Sequence, residues 1–131
     1  MDVYLSIAAG GALGSLARFW VSGFVARYGG ESFPWGTLLI NVSGCFLIGL
    51  FAALTGPQGR LVVSPWIRQF VMVGVCGGYT TFSSFSLQWL TLVHEGERQR
   101  AGLYVGSSLL GCLAAVWMGY ALASTLTRIR H

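Results

Sequence analysis

Charge is what this chain of 131 residues has least of. Only 9% of its residues are charged, lysine is absent, and the acids are Asp2, Glu31, Glu95 and Glu97. Soluble domains carry roughly 25% charged residues, so a water-facing fold is excluded. The acids sit in connections or at the ends of apolar runs, leaving no carboxylate at membrane depth. A proton-coupled cation exporter needs such a carboxylate to exchange protons against its substrate, and that class loses its central residue. Cysteine is scarce too: Cys45, Cys76 and Cys112 fall one per apolar run, with neither metal-ligand nor redox spacing. They read as small buried apolar residues. His94 lies at a helix end and His131 at the C-terminus. No nucleophile, acid and base converge in any run, so an enzyme is not expected. Repeats and low-complexity tracts are absent, and the longest connection, Gly56 to Pro65, is too short for a soluble domain. One membrane domain, residues 1–131, accounts for the chain.

What is present is apolar length. Ser32 to Gly59, Gln69 to Val93 and Ala101 to Thr127 are free of charge, and Val3 to Ala26 carries one, Arg18. Each exceeds the roughly 20 residues a spanning helix requires. The expectation is an all-α membrane protein with four transmembrane helices, near residues 3–27, 34–55, 66–94 and 100–127. The chain opens with Asp2 and runs on past a full span, unlike a cleaved leader with its basic start and short apolar core, so no removal is expected. Net charge is +4, and every positive side chain is arginine. With the N-terminus cytoplasmic, Arg60, Arg68, Arg128 and Arg130 share one side, and Arg27, Arg98 and Arg100 the other. Loop Lys/Arg asymmetry sets orientation, and this one is slight. Two outcomes stay open on charge alone: insertion both ways, which permits an antiparallel dimer, or one topology tipped by Arg18.

The pairs Gly10 and Gly14, Gly74 and Gly78, and Gly102 and Gly106 have the four-residue spacing that lets helix backbones approach closely in lipid. Polar groups at that depth are costly unless they face one another or a wet path. Thr37 and Asn41 share a face with Gly44 and Cys45; Tyr104, Ser108 and Cys112 recur every four residues; and the third run supplies Thr80, Thr81, Ser83, Ser84, Ser86 and Gln88. A single hydroxyl of this kind is satisfied by its own helix. Three aligned polar lines favour a lined pathway over coincidence. Its groups are amide and hydroxyl donors plus one arginine, which suit an anion or a polar neutral solute.

Phe82 and Phe85 are neighbours on one helical face, readable as packing bulk or as ring edges offered to an anion. Weak, repeated contacts of the second kind suit conduction, which needs a site easy to leave. Gly77 and Gly78, adjacent at mid-span, either serve close packing or interrupt the helix and free carbonyls, which from two crossing chains can cage a small cation. Arg18 continues the Gly10 and Gly14 face; it either snorkels to headgroups or supplies positive potential at a vestibule.

Gly77 to Ser86, GGYTTFSSFS, together with GTLLINVSG at Gly36 to Gly44 and GGALGSLARFW at Gly10 to Trp20, resembles the Fluc (CrcB) family of fluoride channels over the whole chain. The third-run motif is highly specific; the Gly/Arg element is weaker alone. The resemblance implies a homodimer of oppositely oriented copies in the cell membrane, with the third helix broken and two pores passing fluoride out passively. Phe82 and Phe85 would be the pore phenylalanines, Asn41 the amide donor beside them, and Thr81, Ser83 and Ser84 hydroxyls along the route. Tyr104 and Ser108 would border the pore, and Arg18 would sit at the vestibule. Carbonyls of Gly77 and Thr80 from both copies would hold a structural sodium ion. No energy coupling and no nucleic acid partner is implied. Two positions depart from the pattern: Gln88 stands where many relatives have glutamate, and Cys112 where a hydroxyl is common. On the residues alone, a channel for another small solute and a scaffold whose polar lines only join helices remain open.

Overall fold

The computed structural model describes residues 2–129, so Arg130 and His131 lie outside the described residues. Helix α1, Val3–Gly29, starts at the N-cap Asp2, whose carboxylate accepts from the Tyr4 N–H at 3.3 Å. It ends where Gly30 turns to a φ of 73°. Helix α2, Trp35–Leu54, is followed by the polar connection and then by a third rod. That rod begins as α3, Pro65–Gln69, with proline in the first turn where its missing N–H costs nothing. It continues through a π-helical stretch, Phe70–Cys76, into the short α4, Gly77–Tyr79. Thr80 and Thr81 are extended, and α5, Phe82–His94, resumes the course. Helix α6, Arg98–Arg128, completes the fold, and there is no strand among the described residues.

Trp35–Leu54, Pro65–His94 and Arg98–Arg128 are long and apolar enough to cross a bilayer. Helix α1, whose middle turns are rich in Gly, Ala and Ser around Arg18, is not among them, though at a rise of 1.5 Å per residue it reaches about 40 Å. The helix bounds agree with the expected ranges 3–27, 34–55, 66–94 and 100–127 to within about two residues, the usual uncertainty of helix ends.

Glycine sets the packing. Helices α2 and α6 run parallel, and a Cβ at Gly49 would strike the Val116 carbonyl, while one at Gly119 would strike that of Phe46. Helix α1 nests against the third rod: a Cβ at Gly14 would lie 2.8 Å from the Tyr79 nitrogen, one at Gly74 2.9 Å from the Gly10 Cα, and one at Gly78 2.6 Å from the Gly11 carbonyl oxygen. The first two spaced glycine pairs therefore meet each other. Gly102 and Gly106, by contrast, have nothing within 4 Å of a Cβ position in this chain.

The glycine pair is not where the helical course stops. Gly77 and Gly78 are helical, and Gly78 is consumed in the approach to α1. The extended residues lie just beyond, at Thr80, with φ −79° and ψ 156°, and Thr81, with φ −152° and ψ 116°. The cause is a side chain from α2, described next.

Candidate functional site

The Asn41 carboxamide binds Thr81 in the manner of a neighbouring strand. Its Oδ1 accepts from the Thr81 N–H at 2.8 Å, and its Nδ2 donates to the Thr81 carbonyl at 3.0 Å. In a continuous helix the Thr81 N–H would go to the Gly77 carbonyl four residues back. Asn41 takes it instead, leaving Gly77 with the carbonyls of the last turn that have no intrahelical donor. Two further residues of the NVSG segment secure the same place. The Ser43 hydroxyl and the Tyr79 phenol are hydrogen-bonded at 3.0 Å, and Gly44 admits Thr80 and Tyr79 where a Cβ would collide with the Thr80 methyl.

Thr81 also starts the next helix. Its hydroxyl accepts from the Ser84 N–H at 3.2 Å, as an N-cap does. The hydroxyls of Ser83 and Ser84 lie 3.3 Å and 3.1 Å from it, so three hydroxyls cluster at the start of α5. The N-terminal end of a helix is electropositive, and these groups are gathered there.

The aromatic rings stand on the opening turns of the same helix. Phe82 and Phe85 have centroids 5.4 Å apart and inclined at 48°. Phe85 is buried against Tyr104, 4.9 Å away, whereas Phe82 is 74% exposed. Tyr104 is fully buried, and its phenol donates to the Gln88 side-chain oxygen at 2.8 Å. Ser108, one turn further along α6, is buried with its hydroxyl unpartnered among the described residues. A cavity of about 390 Å³ opens beside Asn41, Thr81, Phe82, Phe85 and Ser108.

On the other side of Thr81 lies a second cavity, of about 380 Å³, lined by Arg18, Ser22, Thr37, Ser84 and Gln88 among others. Arg18 occupies it for a geometric reason. Gly10 and Gly14 press against the third rod, and one turn later that rod has given way to the extended threonines, so the same face of α1 has room for a guanidinium. Arg18 forms no ion pair among the described residues, where the salt bridge found is Arg100 with Glu97 at 3.6 Å. Its charge is therefore uncompensated by a carboxylate. Ser22, Thr37 and Gln88 also line a third cavity, of about 320 Å³, which reaches Glu31 and Glu95 at the end of the bundle.

Of the residues singled out in the sequence, Asn41, Thr81, Phe82, Phe85 and Ser108 meet at one cavity, and Arg18 and Ser84 at the next, with Thr81 bordering both. Tyr104 stands behind Phe85, and Ser83 lies at the exposed start of α5. Ser43 and Tyr79 were not individually legible, although Ser43 is inside the NVSG segment. The Gln88 to Tyr104 bond was also missed: a neutral amide supplies the acceptor, so this contact does not need a carboxylate.

Packed helical rods, three of them able to cross a bilayer by length and composition, with polar groups held between them, define a multi-pass membrane protein. Residues 5–120 match the family described as CrcB-like protein, Camphor Resistance (CrcB), and the chain belongs to that family. It is similar to a protein of Methylocella silvestris named Fluoride-specific ion channel FluC, 57% identical over 127 residues, covering 97% of each chain. Proteins of the same name from Opitutus terrae, 56% identical over 130 residues and covering 99% of this chain and 98% of the relative, and from Rhodospirillum rubrum, 60% identical over 117 residues and covering 89% and 91%, are similar too.

Proposed function

We propose that the chain forms a fluoride-selective channel of the cell membrane that lets fluoride leave the cytoplasm passively. One observation carries the reading beyond family membership: the Asn41 clamp on Thr81 brings together an amide and three hydroxyls beside two phenyl rings, with no carboxylate among them. Fluoride is small and strongly hydrated, so it needs many donors to replace its water. Asn41 offers its remaining N–H, and Thr81, Ser83, Ser84 and Ser108 offer hydroxyls. Phe82 and Phe85 present ring edges that hold an anion weakly enough for it to move on. Tyr104 borders the route and fixes Phe85, and Arg18 raises the anion concentration in its cavity.

In this reading residues 1–131 form one domain in which α1 also spans, and the extended threonines break the third helix at membrane depth. A second, inverted copy completes the channel. The support is what one chain leaves uncovered: the Phe82 ring, Gly77, and the Gly102 and Gly106 face. Carbonyls of Gly77 and Thr80 from both copies would hold a structural sodium ion. The released Gly77 carbonyl fits that role, since an oxygen donor without a hydrogen-bond partner suits a hard cation. Two copies give two routes.

The test is fluoride efflux from liposomes containing only the purified protein, with potassium carried by an ionophore and no proton gradient, compared with chloride. Rapid fluoride efflux, slow chloride efflux and a large loss in Phe82→Ile are expected. Silence in the wild-type protein points to a scaffold, and equal chloride flux to an unselective pore. Labelling of single loop cysteines from each side of intact cells reads the orientation.

A further inference from the structure

All three cysteines, one on each of three different elements, line the cavity beside Phe82 and Phe85, and the thioether of Met72 joins them. The three thiols are free, with Cys45 and Cys112 half-buried and Cys76 buried. Cys45 and Cys112 occupy equivalent levels of the parallel helices α2 and α6: one turn beyond them, Gly49 meets the Val116 backbone, a close approach of that pair. Both side chains line the same cavity. Ser108, one turn before Cys112, lines the same cavity, and its hydroxyl is unpartnered among the described residues.

Thiolates and thioethers are soft ligands that select soft cations. Among the described residues no three His, Cys, Asp or Glu side chains are gathered closely enough to hold an ion. A pair of thiols suits two-coordinate binding instead, which closed-shell monovalent ions such as copper(I) and silver(I) accept. We propose that Cys45 and Cys112 form a two-coordinate site for a soft monovalent cation, and that its occupation blocks the adjacent ion route. On binding, each thiol loses its proton to the solvent and its sulfur forms one bond to the metal; nothing is oxidised. One cation against two thiolates leaves a net negative charge beside Phe82, Phe85 and Ser108. That charge opposes an anion and adds to the steric obstruction.

The site itself stands on the placement of the two cysteines at one level of one cavity; its effect on flux rests on the proposed function. The probe is silver nitrate added in chloride-free buffer to the purified full-length protein, followed by desalting and measurement of retained silver and released protons. The wild-type protein and Cys76→Ala are expected to retain silver with proton release, and Cys45→Ala and Cys112→Ala to lose it. In liposomes, silver is expected to slow wild-type fluoride efflux and to leave Cys45→Ala and Cys112→Ala at their own silver-free rates. Equal retention by the Cys45→Ala and Cys112→Ala proteins overturns the site. Retention in the expected pattern with undiminished efflux overturns the block. A wild-type protein without fluoride flux before silver is added refutes the channel reading and the block with it, while retained silver still decides the site.

Discussion

Replacing Asn41 by leucine keeps the side-chain volume nearly constant and removes both hydrogen bonds to Thr81. The residue it serves is buried, so neither the Thr81 N–H nor its carbonyl regains a partner from water. A buried polar group left unpaired costs about 1–3 kcal/mol, so the pair amounts to about 2–6 kcal/mol. Asn41→Asp separates the two halves: a carboxylate still accepts from the Thr81 N–H but cannot donate to its carbonyl. It is expected to recover part of the stability while placing a negative charge in the anion route. Unfolding of the protein in mixed micelles by added sodium dodecyl sulfate, followed by tryptophan fluorescence, reads the stability; liposome efflux reads the flux. A hydrogen bond to a charged partner is worth about 1.5–3 kcal/mol, so loss of the donor to fluoride lowers flux by roughly tenfold or more in both variants. Asn41→Leu within ~0.5 kcal/mol of the wild-type protein, the range of an inert surface change, and with wild-type flux would refute the clamp.

Three further outcomes follow from the same geometry. Ser108→Ala removes a hydroxyl that has no partner within the described chain, so stability in the same unfolding titration is expected to hold or rise slightly while fluoride efflux falls; a fall in stability would mean the hydroxyl is already bonded. Gly14→Leu drives a side chain into the backbone of Val75 and Tyr79 and is expected to cost about 1–3 kcal/mol or more, whereas Gly23→Ala, with nothing within 4 Å of its Cβ, is expected to be neutral or stabilising. Arg18→Gln is expected to lower fluoride flux most at low ionic strength and little at high salt, because the field of a solvent-reached charge is screened; a salt-independent loss would mark Arg18 as a packing residue.

The helices were legible in the sequence because a run without charge and longer than a bilayer has few other fates, and loop residues mark its ends. The polar lines of α2 and α6 were legible because a four-residue period keeps side chains on one face. The position of the extended segment was not. GGYTT contains two kinds of helix-disfavouring residue, and local propensity points to the glycines. The outcome is decided by Asn41, forty residues away in sequence, and by the need for Gly78 to approach Gly11 as a helix. Period and composition carry no information about that pairing. The room for Arg18 depends on the same event, since only after the third rod opens does the α1 face have space for a guanidinium. The Gln88 to Tyr104 bond joins two helices whose relative rotation no single-helix pattern specifies.

The most direct measurement is the reversal potential of the purified protein in a planar bilayer, with fluoride on one side and chloride on the other at equal concentration. Donors gathered around Thr81 to replace fluoride's water predict a current that reverses far from zero, in the direction of fluoride permeation alone. A reversal potential near zero, or the absence of current under fluoride on both sides, would contradict the account.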